Sequence, residues 1–137
     1  MTGAAQAAET LEKTIVVVDD EPGYCETLKD VLEDEGYHVE IAADGQAALE
    51  LLRRLPGRPC LLLLDLIMPI LDGNAVYREV KADPRLAPMP VVIATSDPAR
   101  APSGATVMAK PVRLERLLEV VRRACGEAAA PPQRGAS

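Results

Sequence analysis

Short apolar runs alternate along this chain with stretches whose apolar positions recur every three or four residues. Thr14–Val18 (TIVVV) is brief and β-branched, which predicts a strand buried on both faces. Tyr24, Leu28, Val31, Leu32 and Glu35 then follow at i, i+4, i+7, i+8 and i+11, a helical stripe that fades at Glu35 and closes at Gly36. Tyr37–Ile41 (YHVEI) alternates, as a strand with one wet face does. Asp44-Gly45 opens a second helix through Ala48, Leu49, Leu52 and Leu55, stopped by Pro56-Gly57. Cys60–Asp65 reads as the third strand, and Asp72-Gly73 leads into a third helix carrying Val76, Tyr77 and Val80. Pro90–Ala94 predicts a fourth strand and Thr106–Met108 a short fifth. Leu114, Leu117, Leu118, Val121 and Cys125 mark the last helix.

Strand, helix, strand, helix predicts an α/β domain: parallel strands, right-handed crossovers and helices on both faces. Residues 1–12 and 126–137 (GEAAAPPQRGAS) offer little to bury and are expected as disordered tails around one domain at 13–125. The chain has no Phe, no Trp and three Tyr, so its core must be aliphatic. A formal net charge of −6 argues against nucleic acid or an anionic membrane as a direct partner. Cys25, Cys60 and Cys125 are distant, odd in number and without a CxxC, which predicts three reduced thiols. With no secretory leader and no apolar run of spanning length, the expected location is the cytoplasm.

One residue breaks the apolar pattern. Asp65 sits inside LLLLDLIMP, where an ionised carboxylate costs several kcal/mol unless something pairs with it. In open parallel sheets, ligand chemistry gathers beyond the carboxyl ends of the strands. Strand one ends in Val18-Asp19-Asp20-Glu21, strand four in Ala94-Thr95-Ser96-Asp97, and strand five in Ala109-Lys110-Pro111. The rim therefore collects Asp19, Asp20 and Asp65 with a hydroxyl and an ammonium. Three close carboxylates need countercharge, which Lys110 and one Mg²⁺ would supply; the absence of His and Cys from the motif disfavours zinc. A metal-bound carboxylate beside a Lys and a Thr is a plausible phosphoryl acceptor. Taken singly, Asp19-Asp20-Glu21 reads as a solvated acidic turn, and Thr95 and Lys110 read as structural; their joint position at the rim makes them candidates. His38 falls outside the rim and reads as a solvated side chain. Cys25 reads as core-facing or boundary rather than catalytic, and Cys125 as packing. Ser96 and Asp97 flank the approach to Asp65 and could tune the lifetime of a phosphoryl group there.

VVVDDEP, LLLLDLIMPILDG, VVIATS and AKP, in this order and spacing, resemble the receiver domain of two-component response regulators over roughly residues 13–125. The resemblance implies a flavodoxin-like (CheY-like) doubly wound sheet of five parallel strands in the order 2-1-3-4-5. It implies Asp65 as phosphoacceptor and Asp20 as a direct Mg²⁺ ligand, with Asp19 holding the water shell. The Ile67 backbone carbonyl would be a further ligand, Thr95 the switch hydroxyl, and Lys110 the phosphoryl partner before a cis bond to Pro111. The implied partners are a histidine kinase or histidine phosphotransfer protein and an unidentified downstream protein. The chain would not be an enzyme acting on a separate substrate, although it would assist its own phosphotransfer and dephosphorylation.

Three features depart from the family. SDPARAPSGAT, between Thr95 and Lys110, holds Pro98, Pro102 and Gly104, so the crossover helix usual there is expected to be missing or a single turn. Val107 stands where an aromatic switch residue is usual. Arg113 stands where a small helix cap is frequent and cannot accept from first-turn N–H groups. The expected function is a stand-alone, phosphorylation-switched signalling domain, since the stretch after residue 125 is short and polar. The alternative is a constitutive, phosphorylation-uncoupled interaction module. A flavodoxin-like cofactor protein is disfavoured, because no loop carries the Ser, Thr, Gly and aromatic residues a flavin needs.

Overall fold

In the computed structural model, residues 10–68 and 70–126 are described. They form β1 (Thr10–Val18), α1 (Pro22–Asp34), β2 (His38–Ala42), α2 (Gly45–Arg54), β3 (Arg58–Leu64), α3 (Gly73–Ala82) and β4 (Val91–Thr95). A three-residue 3-10 turn (Pro98–Arg100), β5 (Thr106–Ala109) and α4 (Leu114–Cys125) complete the order. All described strand pairs are parallel, in the order β2-β1-β3-β4-β5. This is the doubly wound sheet expected, and the expected loss of the crossover helix between β4 and β5 is also found. Prolines at 98 and 102 leave room for one tight turn only.

Side chains that alternate along the central strands feed two separate cores, because successive residues of a strand point to opposite faces. Val16, Val18, Leu62, Leu64 and Ile93 meet Ala48, Leu52, Val76 and Val80 of α2 and α3. Ile15, Val17, Leu61, Leu63 and Val92 meet Cys25, Leu28, Leu32, Leu117 and Val121 of α1 and α4. Burying each such aliphatic side chain contributes about 1.5–3 kcal/mol relative to water. The helix ends obey local chemistry. Asp44 and Asp72 accept from the N–H groups of Ala47 and Ala75, satisfying donors that the first turn leaves unpaired. Gly36 ends α1 at φ +100°, a conformation that costs any side chain dearly. Arg113 caps α4 without a side-chain bond, as its chemistry requires.

Two expectations need correction. β1 begins at Thr10, inside the stretch read as a tail: Thr10 and Leu11 pair with Arg58 and Pro59 across a register shift. Backbone pairing needs no apolar side chain, so it left no trace in the hydrophobic pattern. Gly126 is likewise held, its carbonyl accepting from the Tyr37 hydroxyl at 2.7 Å; the remaining tail residues, 1–9 and 127–137, lie outside the described residues. The second correction concerns the thiols. Cys60 and Cys125 form a disulfide with Cα atoms 5.1 Å apart, whereas Cys25 is free and buried as expected. β3 starts, and the antiparallel α4 ends, at the same pole of the sheet, which brings together two cysteines 65 residues apart. Among the described residues, no helix is long and apolar enough to cross a membrane.

Candidate functional site

Beyond the ends of β1, β3 and β5 the sheet ladder continues for one more backbone bond. Asp19 N–H donates to the Ala42 carbonyl (3.1 Å), Asp65 N–H to that of Val18 (3.0 Å), and Lys110 N–H to that of Thr95 (2.9 Å). These bonds fix Asp19, Asp65 and Lys110 in register at the carboxyl rim, although the hydrophobic strands have already stopped. Asp65 thus follows β3 directly: the strand ends at Leu64, one residue before the end that the sequence suggests.

The side chains converge there. Oxygens of Asp19, Asp20 and Asp65 lie within 4.8 Å of one another; Asp19 and Asp65 are buried and Asp20 is exposed. At that separation, two ionised carboxylates repel by about 3–4 kcal/mol at an effective dielectric near 20. Lys110 Nζ offsets part of this, 2.6 Å from Asp19 Oδ2 and 3.7 Å from Asp65 Oδ2. Asp19 Oδ1 also accepts from the Glu21 N–H, and Asp65 Oδ1 from the Ile67 N–H at 3.4 Å. Burial nonetheless pushes the Asp65 carboxyl above its usual value; Lys110 opposes that and the Asp19 charge adds to it. Burial works against the Lys110 ammonium, but the Asp19 hydrogen bond and the charges of Asp19 and Asp65 outweigh it and hold its pKa above normal. Three carboxylates against one ammonium leave a negative, oxygen-only pocket, the donor set that suits a hard divalent cation.

Thr95 is fully buried at the end of β4, opposite Ala109 in the β4–β5 register, and its Oγ1 accepts from the Asp97 N–H at 3.1 Å. Ile67 stands two residues past Asp65 with its side chain half exposed. The Lys110–Pro111 bond is cis, as expected. His38 lies away from the rim, exposed and paired with Glu40. Val107 packs in part against the α2/α3 core.

Sequence reasoning missed two residues beside the site. Tyr24, read as the first step of an apolar stripe, places its ring centroid 4.6 Å from Lys110 Nζ. Burial raises its phenol pKa, with Lys110 opposing and the Asp19 and Asp65 charges adding. Cys25 Sγ lies 3.3 Å from the Asp19 carbonyl, and burial, with the Asp19 charge, pushes its thiol up to about 11. The available signal was position: both lie on the first turn of the helix that leaves the acidic rim.

Comparison with known proteins gives a consistent family. Residues 15–122 match the response regulator receiver domain. The DNA-binding response regulator MtrA of Mycolicibacterium smegmatis is 40% identical over 88 residues, 64% of this chain and 36% of that protein. The response regulator MprA of Mycobacterium leprae is 37% identical over 113 residues, 79% of this chain and 49% of that protein. The chain therefore spans between about a third and a half of the length of these relatives. Among solved structures, the receiver domain of a signal transduction histidine kinase from Syntrophus aciditrophicus superposes with a TM-score of 0.75 at 33% identity, covering 82% of this chain and 89% of that one. The receiver domain of a sensor histidine kinase from Pseudomonas aeruginosa PAO1, with a magnesium ion coordinated in its active-site cleft, gives 0.75 at 26% identity, covering 83% and 98%. With its strand order, its acidic rim and a match over most of its length, this chain belongs to the response regulator receiver domain family.

Proposed function

We propose that this domain accepts a phosphoryl group on Asp65 from a phosphohistidine of a histidine kinase or histidine phosphotransfer protein, in the cytoplasm. The observation that carries the reading is the position of Lys110 Nζ, between Asp19 and Asp65 at the edge of an acidic oxygen cluster. A carboxylate oxygen of Asp65 attacks phosphorus; the new O–P bond forms as the P–N bond to the donor imidazole breaks, and the imidazole leaves with the bonding pair. Asp20, Asp65 and the Ile67 carbonyl would hold Mg²⁺, with Asp19 on its water shell, and the bound ion would supply positive charge against the transferring oxygens. Lys110 pairs with one of those oxygens, and the Thr95 hydroxyl donates to another while its oxygen keeps the Asp97 N–H.

Direct labelling tests this. The purified chain, incubated with acetyl phosphate and Mg²⁺, should gain the mass of one phosphoryl group on Asp65. EDTA and Asp65→Asn should each abolish the gain. An unlabelled Asp65 in the folded protein sinks the proposal. A second reading, a constitutive interaction module, draws on the aliphatic Val107 and the missing crossover helix. It predicts that Asp65 takes up phosphoryl while the amide NMR spectrum changes only around Asp65 itself. Changes that reach α1 or α4 favour the switched form.

A further inference from the structure

Lys110 has a long, flexible stem, and one side of it is open. Tyr24, Thr27, Leu28, Val112 and Leu117 line a cavity of about 600 Å³ between α1 and α4, with Lys110 at its rim. An ammonium on four rotatable carbons gains entropy by leaving the carboxylates for such a space. The Tyr24 ring stands on that side, its centroid 4.6 Å from Nζ, well within the range of cation–π attraction. The ring attracts the ammonium without adding a fourth negative charge to a site that already holds three carboxylates. An acidic residue in its place would compete for Lys110 and repel an incoming phosphoryl group.

We propose that Tyr24 is a positioning residue for phosphoryl transfer: its ring confines Lys110 Nζ to the gap between Asp19 and Asp65, where the transferring oxygens must lie. The inference rests on the phosphoacceptor reading of Asp65 and adds to it a residue from a different element. Preorganising the ammonium spares its reorganisation at the moment of reaction. The effect therefore falls on the maximum rate rather than on half-saturation by the phosphodonor.

Two measurements on the full chain test it. Without any phosphodonor, ring-current shielding should move the ε-CH₂ protons of Lys110 upfield of those of Lys29, in wild type and in Tyr24→Phe. Tyr24→Leu should lose that shift. With acetyl phosphate and Mg²⁺, Tyr24→Leu should label Asp65 roughly 3- to 30-fold more slowly at saturation, while Tyr24→Phe restores most of the rate. Tyr24→Met, screened with the others by thermal melting, replaces the leucine variant if that one unfolds. Unshifted Lys110 protons in wild type overturn the inference. So does a ringless variant that labels at the wild-type rate, or a Tyr24→Phe that is as slow as Tyr24→Leu. Failure of wild type to label Asp65 overturns the phosphoacceptor reading instead, and the proton shifts still decide whether the ring holds the ammonium.

Discussion

Ionised Asp65 is costly until a cation arrives, and that cost has a measurable sign. Its folded pKa lies above the ordinary carboxylate value, chiefly through burial, so the folded state binds the proton more tightly than the unfolded chain. The contribution of Asp65 to metal-free stability should therefore fall as pH rises from the usual carboxylate range through the folded pKa, and then level off. Lys110 works the other way. Its raised pKa means that its contribution is present at neutral pH and is lost only in alkali, as pH climbs through the folded value. Asp65→Asn removes one of three mutually repelling charges while keeping the shape. In EDTA at pH 7 it should melt roughly 2–6 °C above wild type, and the two should converge in acid. A variant that melts below wild type at pH 7 would mean that Lys110 more than compensates the burial of the carboxylate.

At the scale of elements, the site depends on how closely α3 approaches the loop after β3. Gly73, the first residue of α3, donates its N–H to the Leu66 carbonyl at 2.9 Å. A Cβ on Gly73 would collide with the Asp65 carbonyl oxygen and come within 2.7 Å of the Leu66 Cα. Both are backbone atoms with no rotamer to yield. Gly73→Ala should cost about 1–3 kcal/mol and slow labelling of Asp65, because the displaced loop also carries the Ile67 N–H that Asp65 accepts. Gly23→Ala is the matched control: a Cβ there meets nothing within 4 Å, and inside α1 it should be neutral or slightly stabilising in the same melts. The same scale explains what the sequence revealed. Periodicity exposed every strand and helix with an apolar face, and the prolines of 98 and 102 exposed the missing crossover. The rim residues Asp19, Asp20, Asp65, Thr95 and Lys110 were legible because parallel topology assigns strand ends to one edge. Thr10 and Leu11 were not, since strand pairing is a backbone interaction that the hydrophobic pattern does not record. Tyr24 was hidden because one side chain both extends the apolar stripe of α1 and faces the ammonium.

Across the whole molecule, the disulfide lies at the pole opposite the site yet joins the two elements that lead to it. Cys60 lies near the start of β3, whose far end leads into Asp65; Cys125 ends α4, whose start follows Lys110-Pro111. Two hydrogen bonds reinforce the same point: Lys13 Nζ donates to the Cys125 carbonyl at 2.8 Å and Tyr37 to that of Gly126 at 2.7 Å. Composition alone suggested reduced thiols, because cysteine spacing along the chain carries no information about a contact that only the folded topology creates. Cross-linking residues 65 apart removes denatured-state entropy worth about 4 kcal/mol on the chain-closure account. Reduction should therefore lower the melting temperature by about 10 °C or more, while Asp65 still labels at 25 °C. That second expectation follows because the ladder bonds of Asp19, Asp65 and Lys110 hold the rim without the sulfur link. Melting curves and labelling rates with and without a phosphine reductant, with Cys60→Ser as the permanently open form, test both halves. Slower labelling on reduction, at a temperature where the protein remains folded, would show that the two poles are coupled through β3 and α4 rather than independent.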